Sequence, residues 1–378
     1  MAHALTGRDP RSGKSLAVEI VDGCIIDITD GPENETAWLA PGLIDLQVNG
    51  FHNEDCNADD LSIEMLQRLA GHMLATGVTT FLPTLITAPE EKITQNLRII
   101  AAARKSDPLL QHMIPCVHVE GPHIAMEDGP RGAHPREHVR PPSLAEFDRW
   151  QAASGNLVGF VTLSPHYTTA AEYIHALTQR CVRVSLGHSS ATSEQIHAAA
   201  AAGAQLSTHL GNGVSDSLPR HPNLIWAQLA DDRLTATFIA DGHHLPPDTL
   251  TVMLRAKTIA RAVLVSDLVM LAGLPAGTYN TPVGGAVELH IGGRLNVAGT
   301  KYLAGATATL ADAIAYVASQ TEFTLGDAVQ MATENPGRFL DNRGTLRVGA
   351  DADLIRFHWE QGSSTLQIEK TIVLGKIQ

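Results

Sequence analysis

The chain has 378 residues, of which 44% are hydrophobic and 18% charged, and its formal net charge is −13 at pH 7. Those values fit one large globular domain with a small companion. The excess of acidic residues excludes a non-specific nucleic-acid binder and a protein held on an anionic membrane, but not a small anionic ligand gripped by a few Arg and His side chains.

The N-terminal segment, MAHALTGRDPRSGKS, has no apolar centre and reads as neither a signal peptide nor an anchor. No apolar run is long enough to span a bilayer. The cysteines, Cys24, Cys56, Cys116 and Cys181, show no Cys-x-x-Cys spacing and no disulfide framework, so a reducing compartment, the cytoplasm, is expected.

Residues 15–31 alternate apolar and polar positions on either side of Asp22-Gly23, which predicts a β-hairpin. Alternating strands return near the C-terminus in GADADLIRFHWE and STLQIEKTIVLGKIQ. The two ends are expected to meet in a small β-sandwich domain formed by residues 1–40 and 346–378.

Between them, residues 41–345 change rhythm. Eight apolar, β-rich runs follow one another: 42–48, 79–86, 114–119, 157–163, 182–186, 205–208, 235–240 and 262–266. Helical stretches such as 61–75, 91–104 and 193–202 separate most of them. Strands that alternate with helices pair in parallel through crossovers. Eight such units over this length predict an α/β fold, a (β/α)8 TIM barrel. A doubly wound open sheet is the alternative, but it offers no reason to stop at eight. Two segments break the pattern, residues 122–142, rich in Pro, His and Arg, and the Gly-rich residues 272–305. Each follows the end of a strand, the catalytic side of a barrel, and each is a candidate lid or binding loop.

Polar residues at those strand ends carry the chemistry. Strand three ends at Glu120, strand five leads to His188, strand six to His209 and strand eight to Asp267. Two imidazoles and a carboxylate make a three-ligand hydrolytic metal set with positions left for water and substrate, and Asp267 is then available as a base. Each residue alone reads more readily as a structural one; the case rests on the four together. Asp241-Gly242-His243-His244 after strand seven is either a polar turn or a histidine reaching the site. There is no Walker A loop, no G-x-G-x-x-G after a strand and no Gly-x-Ser-x-Gly elbow.

Pro41–Asp45 (PGLID) opens the barrel region in a way that resembles the amidohydrolase superfamily. Gly77–Thr84 (GVTTFLPT), His118–Pro122 (HVEGP), Gly187–Ser189 (GHS), Thr208–Asn212 (THLGN), Ala240–His244 (ADGHH), Leu303–Gly305 (LAG) and the closing Gly349–Leu354 (GADADL) are, in this order, similar to the N-acetylglucosamine-6-phosphate deacetylase family. The resemblance implies one divalent metal held by Glu120, His188 and His209, with Zn2+, Fe2+, Co2+ or Mn2+ all suited to such a site. Many amidohydrolases carry His-x-His on strand one for a second ion. Here that place reads Gln47-Val48-Asn49, two amides that are poor transition-metal ligands. The resemblance further implies Asp267 as the base that then becomes an acid, His134 as the group that steadies the substrate carbonyl, and Asn212, Gly213, Arg220 and His244 as sugar-phosphate contacts. In relatives the arginine reaches across a dimer, so a homodimer is implied.

The expected reaction is hydrolysis of the N-acetyl group of N-acetylglucosamine 6-phosphate to glucosamine 6-phosphate and acetate. Residues that depart from the family pattern shift attention to the pocket wall: His123, Gly211, Gly213-Val214, Leu268–Leu271 and Ala306. They keep open another N-acyl amino sugar, such as N-acetylgalactosamine 6-phosphate, or an amide that is not a sugar. A non-catalytic assembly protein on the same barrel is expected to have lost these ligands.

Overall fold

The computed structural model describes residues 3–281 and 285–378. Residues 1–2, assigned above to the terminal β domain, and 282–284, within the Gly-rich stretch, lie outside the described residues. An eight-stranded parallel sheet forms the centre: β1 Leu43–Val48, β2 Val78–Ile86, β3 Val117–Glu120, β4 Val158–Leu163, β5 Arg183–Leu186, β6 Leu206–Ser207, β7 Thr235–Phe238 and β8 Ala262–Leu264. Each strand pairs in parallel with the next in sequence. The strands are buried on both faces, which is why they read as continuous apolar runs and not as alternation. Ile44, Leu46, Leu82, Phe160, Leu206, Val263 and Val265 form a cluster of their own inside the ring, separate from the larger core between strands and helices.

The ring closes past the last residues of β8. Val48 and Leu268 form a parallel bridge, the Asp267 N–H donates to the Gln47 carbonyl at 3.0 Å, and the Asn49 N–H donates to the Leu268 carbonyl at 2.8 Å. Where β1 and β8 do not pair directly, the Asp45 carboxylate Oδ1 accepts the N–H groups of Gln47 and Ser266, each at 3.2 Å. Burial pushes the Asp45 carboxyl up to about 7.

Helices follow the strands as crossovers: α1 Ile63–Ala75, α2 Glu90–Ser106, α3 Leu144–Ser154, α4 Ala170–Thr178, α5 Ser193–Ala201, α6 Leu224–Ala230, α7 Pro247–Lys257 and α8 Leu310–Gln320. In α1 the buried positions Leu66, Leu69, Ala70, Met73 and Leu74 recur at helical spacing, and the Ser62 side chain caps the first turn by accepting from the Met65 N–H. Strand three begins later than the apolar run at 114 suggests, because Ile114 ends a short helix over Pro108–Met113.

The two chain ends build a second sheet of seven strands, in the order 376–377, 367–373, 354–358, 38–41, 3–8, 15–21 and 24–30. Its hairpin turns at Asp22 (φ 50°) and Gly23 (φ 84°), the pair of positive φ values that a two-residue hairpin turn favours. A bridge between Cys24 and Asp351 brings the edge strand back toward the strand at 354–358, so the sheet folds over Leu5, Val18, Ile20, Ile25, Leu39, Leu354 and Ile372. All four cysteines are free. Among the described residues, no helix is long and apolar enough to cross a membrane.

The two irregular stretches both adjoin the C-terminal ends of the barrel strands. After β3 the chain makes short helical turns at Asp128–Arg131 and Arg136–His138. After β8 it forms a three-stranded antiparallel sheet from Gly277–Thr281, Gly285–Leu289 and Leu295–Val297.

Candidate metal-dependent active site

A cleft of about 390 Å3 opens at the C-terminal ends of the strands. Glu120, His134, His188, His209, Asn212, Gly213, His244 and Asp267 all line it. Arg220 does not; it is exposed on the loop between β6 and α6. The single chain therefore brings together every expected site residue except that arginine.

Glu120 is the last residue of β3. His188, His209 and Asp267 stand just past β5, β6 and β8 and hold positive φ angles of 48°, 30° and 52°. Such backbone is rare for residues other than glycine and costs on the order of 1–3 kcal/mol each, so the surrounding contacts must hold it.

Three ligand atoms converge. His188 Nε2 and His209 Nε2 lie 3.2 and 3.1 Å from the same Glu120 oxygen, Oε1, and 3.1 Å from one another. Tetrahedral ligands about 2.0–2.1 Å from a zinc ion lie about 3.3 Å apart, so this triangle has the size of a metal site. His188 Nδ1 is within 2.8 Å of the Pro130 carbonyl, which fixes the proton there and leaves the Nε2 lone pair facing inward. The donor set thus fits one divalent ion. A wider grouping, Glu120 with His134 and His188, has its ligand atoms within 4.8 Å of one another. The 3.1–3.2 Å set is the tighter one, and His134 has a different place.

His134 Nδ1 pairs with the Thr87 hydroxyl at 2.8 Å, and the ring packs against His188 with centroids 4.3 Å apart. Burial, then the neighbouring His188, pushes its pKa down to about 3, so the ring is neutral. With Nδ1 engaged by Thr87, Nε2 is the ring nitrogen left for another partner. Burial opposes ionisation of Glu120, but hydrogen bonds to His188 and His209 outweigh it and hold the carboxyl well below its usual value. In the metal-free chain burial works against a charged His188 too, and a hydrogen bond to Glu120 outweighs that in turn, raising its pKa; a bound ion would take the place of the Nε2 proton.

Asp267 is held by amides. Gln47 Nε2 donates to Asp267 Oδ1 and to Glu120 Oε1, both at 3.0 Å, and Asn49 Nδ2 donates to Asp267 Oδ1 at 2.8 Å. One carboxylate oxygen is thereby fixed and Oδ2 is left for the cleft. Burial, then the Glu120 charge, pushes Asp267 up to about 6. Gln47 and Asn49 are thus more than replacements for a second pair of ligands. They orient the Asp267 carboxylate.

On the far wall, His244 Nδ1 meets Asp241 Oδ2 at 2.7 Å, while Asp241 Oδ1 accepts the N–H groups of His243 and His244. The segment 241–244 is a polar turn and also delivers a histidine to the cleft. Gly213 has φ 59°, and a Cβ there would lie 2.9 Å from His188 Nδ1, so glycine suits the close approach of this wall to His188.

The wall departures sort themselves by position. Gly211, Val214 and Val269 line the cleft. His123 does not. It is buried behind the wall, stacked on Trp150 at 5.7 Å and edge-on to Tyr173 at 5.4 Å, with Nδ1 on the Arg140 carbonyl. Leu268, Leu271 and Ala306 are buried packing residues. His118 is structural as well, its nitrogens paired with the Leu46 carbonyl and the Thr162 hydroxyl. Thr87, directly after β2, is legible by the same strand-end rule that finds Glu120. The Pro130 carbonyl has no sequence signal, and Asp216, Lys301 and Tyr302 in the cleft wall sit in loops without periodicity.

The amidohydrolase family profile matches residues 38–378. The chain belongs to the amidohydrolase family. Within it, this amidohydrolase is 35% identical to the N-acetylgalactosamine-6-phosphate deacetylase of Escherichia coli O157:H7, over 87% of this chain and 86% of that one. It is 31% identical to the N-acetylglucosamine-6-phosphate deacetylase of Bacillus subtilis, over 90% and 84%. Among solved structures, a variant of the Mycobacterium smegmatis N-acetyl-D-glucosamine-6-phosphate deacetylase in complex with N-acetyl-D-glucosamine-6-phosphate superposes with a TM-score of 0.86 at 25% identity, covering 100% of this chain and 98% of that one. These similarities place the chain in the deacetylase branch.

Proposed function

We propose that this amidohydrolase removes the acetyl group of an N-acetyl amino sugar 6-phosphate, with N-acetylglucosamine 6-phosphate as the first substrate to test, giving glucosamine 6-phosphate and acetate. The observation that carries this reading is the 3.1–3.2 Å triangle of Glu120, His188 and His209 in the same cleft as Asp267. A divalent ion held by those three residues, zinc first and Fe2+, Co2+ or Mn2+ as alternatives, acidifies water and polarises the acetyl carbonyl when bound.

The chain's own residues supply the rest. With Oδ1 tied by Gln47 and Asn49, Asp267 Oδ2 takes a proton from the attacking water and returns it to the departing amine nitrogen. Neutral His134 donates from Nε2 to the acetyl oxygen as charge grows there. Asn212, the Gly213 backbone and His244 bound the space for the sugar. Arg220, exposed and away from its own cleft, suits contact with the neighbouring site of a homodimer, where its planar fork matches a phosphate. A cytoplasmic location agrees with the free cysteines.

The test is acetate release by metal-replete enzyme. Acetate from N-acetylglucosamine 6-phosphate supports the reading; none from any 6-phosphorylated N-acetyl amino sugar overturns it. The 35% identity to a protein named for the galactose epimer favours a second reading, N-acetylgalactosamine 6-phosphate. A comparison of kcat/KM on the two epimers decides between them.

A further inference from the structure

A sugar phosphate brings two negative charges into a cleft whose floor already holds the carboxylates of Glu120 and Asp267. The anionic end must therefore sit away from the floor and against a cation. Among the described residues lining the cleft, Lys301 is the one lysine or arginine, and Arg220 stands outside it.

Lys301 comes from the long loop after the three-stranded sheet, next to Tyr302, Leu303, Ala304 and Gly305, all of which face the cleft. Its Nζ lies 2.7 Å from Asp216 Oδ2, on the loop after β6 that also carries Asn212, Gly213 and Val214. The Lys301 and Asp216 side chains are 69% and 53% exposed, so the pair stands at the rim and joins the two loops across the opening. An ion pair this exposed is screened by water and salt, contributes little to stability and yields readily to a better anion.

We propose that Lys301 is a specificity-determining residue that binds the phosphate of the substrate within its own subunit, with Asp216 as the counter-ion the phosphate displaces. The assignment rests on the proposed sugar-phosphate reading. On arrival the phosphate takes over the Lys301 ammonium, and the freed Asp216 carboxylate turns to solvent. The rim lysine thus selects for the phosphate at the end opposite the metal.

Lys301→Gln and Asp216→Asn test this with N-acetylglucosamine 6-phosphate and unphosphorylated N-acetylglucosamine on the metal-replete enzyme. In Lys301→Gln the ratio of kcat/KM for the phosphorylated over the plain sugar falls roughly tenfold, the loss of one charge-assisted hydrogen bond. In Asp216→Asn the same ratio rises, because a competitor for the lysine is gone. An unchanged ratio in Lys301→Gln, or an equal fall in both variants, overturns the assignment; the equal fall would make the pair a structural tie between loops. Titration calorimetry of glucose 6-phosphate, with glucose as control, reads the same lysine without catalysis. Weaker binding of the phosphate in Lys301→Gln supports it, and equal binding by both proteins overturns it. Absence of turnover by the unaltered enzyme on any phosphorylated N-acetyl amino sugar is a separate result, which overturns the deacetylase reading.

Discussion

The side-chain amide of Asn49 lies 2.8 Å from Oδ1 of Asp267. The base of the proposed reaction is therefore aimed by a neighbour 218 residues away in sequence. Asn49→Ala is expected to lower kcat by about 10–100-fold while metal content stays near one ion per chain, as for other groups that orient a working side chain. Asn49→Asp adds a third carboxylate. That raises the Asp267 pKa further, so the acid limb of the pH–rate profile moves to higher pH. Steady-state kinetics with elemental analysis checks both.

Metal removal gives a second test. Chelation is expected to abolish activity, and a single equivalent of Zn2+, Fe2+, Co2+ or Mn2+ to restore it. His188→Ala and His209→Ala should each fail to retain the ion after dialysis. A ligand at about a hundred times its Kd stabilises the fold by about 2.7 kcal/mol, so the melting temperature of the unaltered chain should rise on metal addition and that of the two variants should not.

Asp267→Asn separates chemistry from stability. Its amide oxygen can keep the hydrogen bonds from Gln47 and Asn49, but it takes no proton from water, so kcat should fall by at least about a thousandfold. The metal-free protein should respond in the opposite sense. The folded pKa of Asp267 is about 6, above its unfolded value, so the native state binds more protons between those values and loses stability as pH rises through that window. The substitution removes this loss. Metal-free Asp267→Asn is expected to be about 1–3 kcal/mol more stable than the parent at pH 7 and similar near pH 4, as measured by denaturant titration.

His123 makes a prediction that leaves the cleft untouched. Its buried imidazole, stacked on Trp150, titrates at about 4, chiefly because burial disfavours the charged form. The unfolded chain binds a proton at higher pH, so stability falls as pH drops from about 6.5 through 4. His123→Phe keeps the stacking and removes this contribution. Melting temperatures recorded between pH 7 and 4 should fall less steeply in the variant.

Much of this architecture could be read from the chain because β1–β8 are buried on both faces, and burial leaves apolar runs that recur at crossover spacing. Ile114 misleads for the same reason: an apolar residue that ends a helix looks like the start of a strand. The candidate site was legible where a side chain at or just after a strand end lines the cleft, as at Glu120, His188, His209 and Asp267. It was not legible where a tertiary neighbour decides the role. Gln47 and Asn49 suggest the lack of a second ion, while their service to Asp267 depends on the barrel closing. His123 departs from the family pattern near the active-site motif, yet its ring turns outward to Trp150. Lys301 belongs to a loop with no period to betray which way it faces.

The barrel's closure divides the proposed site into two parts. β1 and β8 meet through a bridge at Val48 and Leu268 and through the Asp45 carboxylate. Gln47 and Asn49 stand on one side of that joint and Asp267 on the other. Glu120, His188 and His209 stand at the ends of β3, β5 and β6 and do not rest on that joint, whereas the aim of Asp267 does, so metal content and the positioning of the proposed base are separable properties of the folded chain.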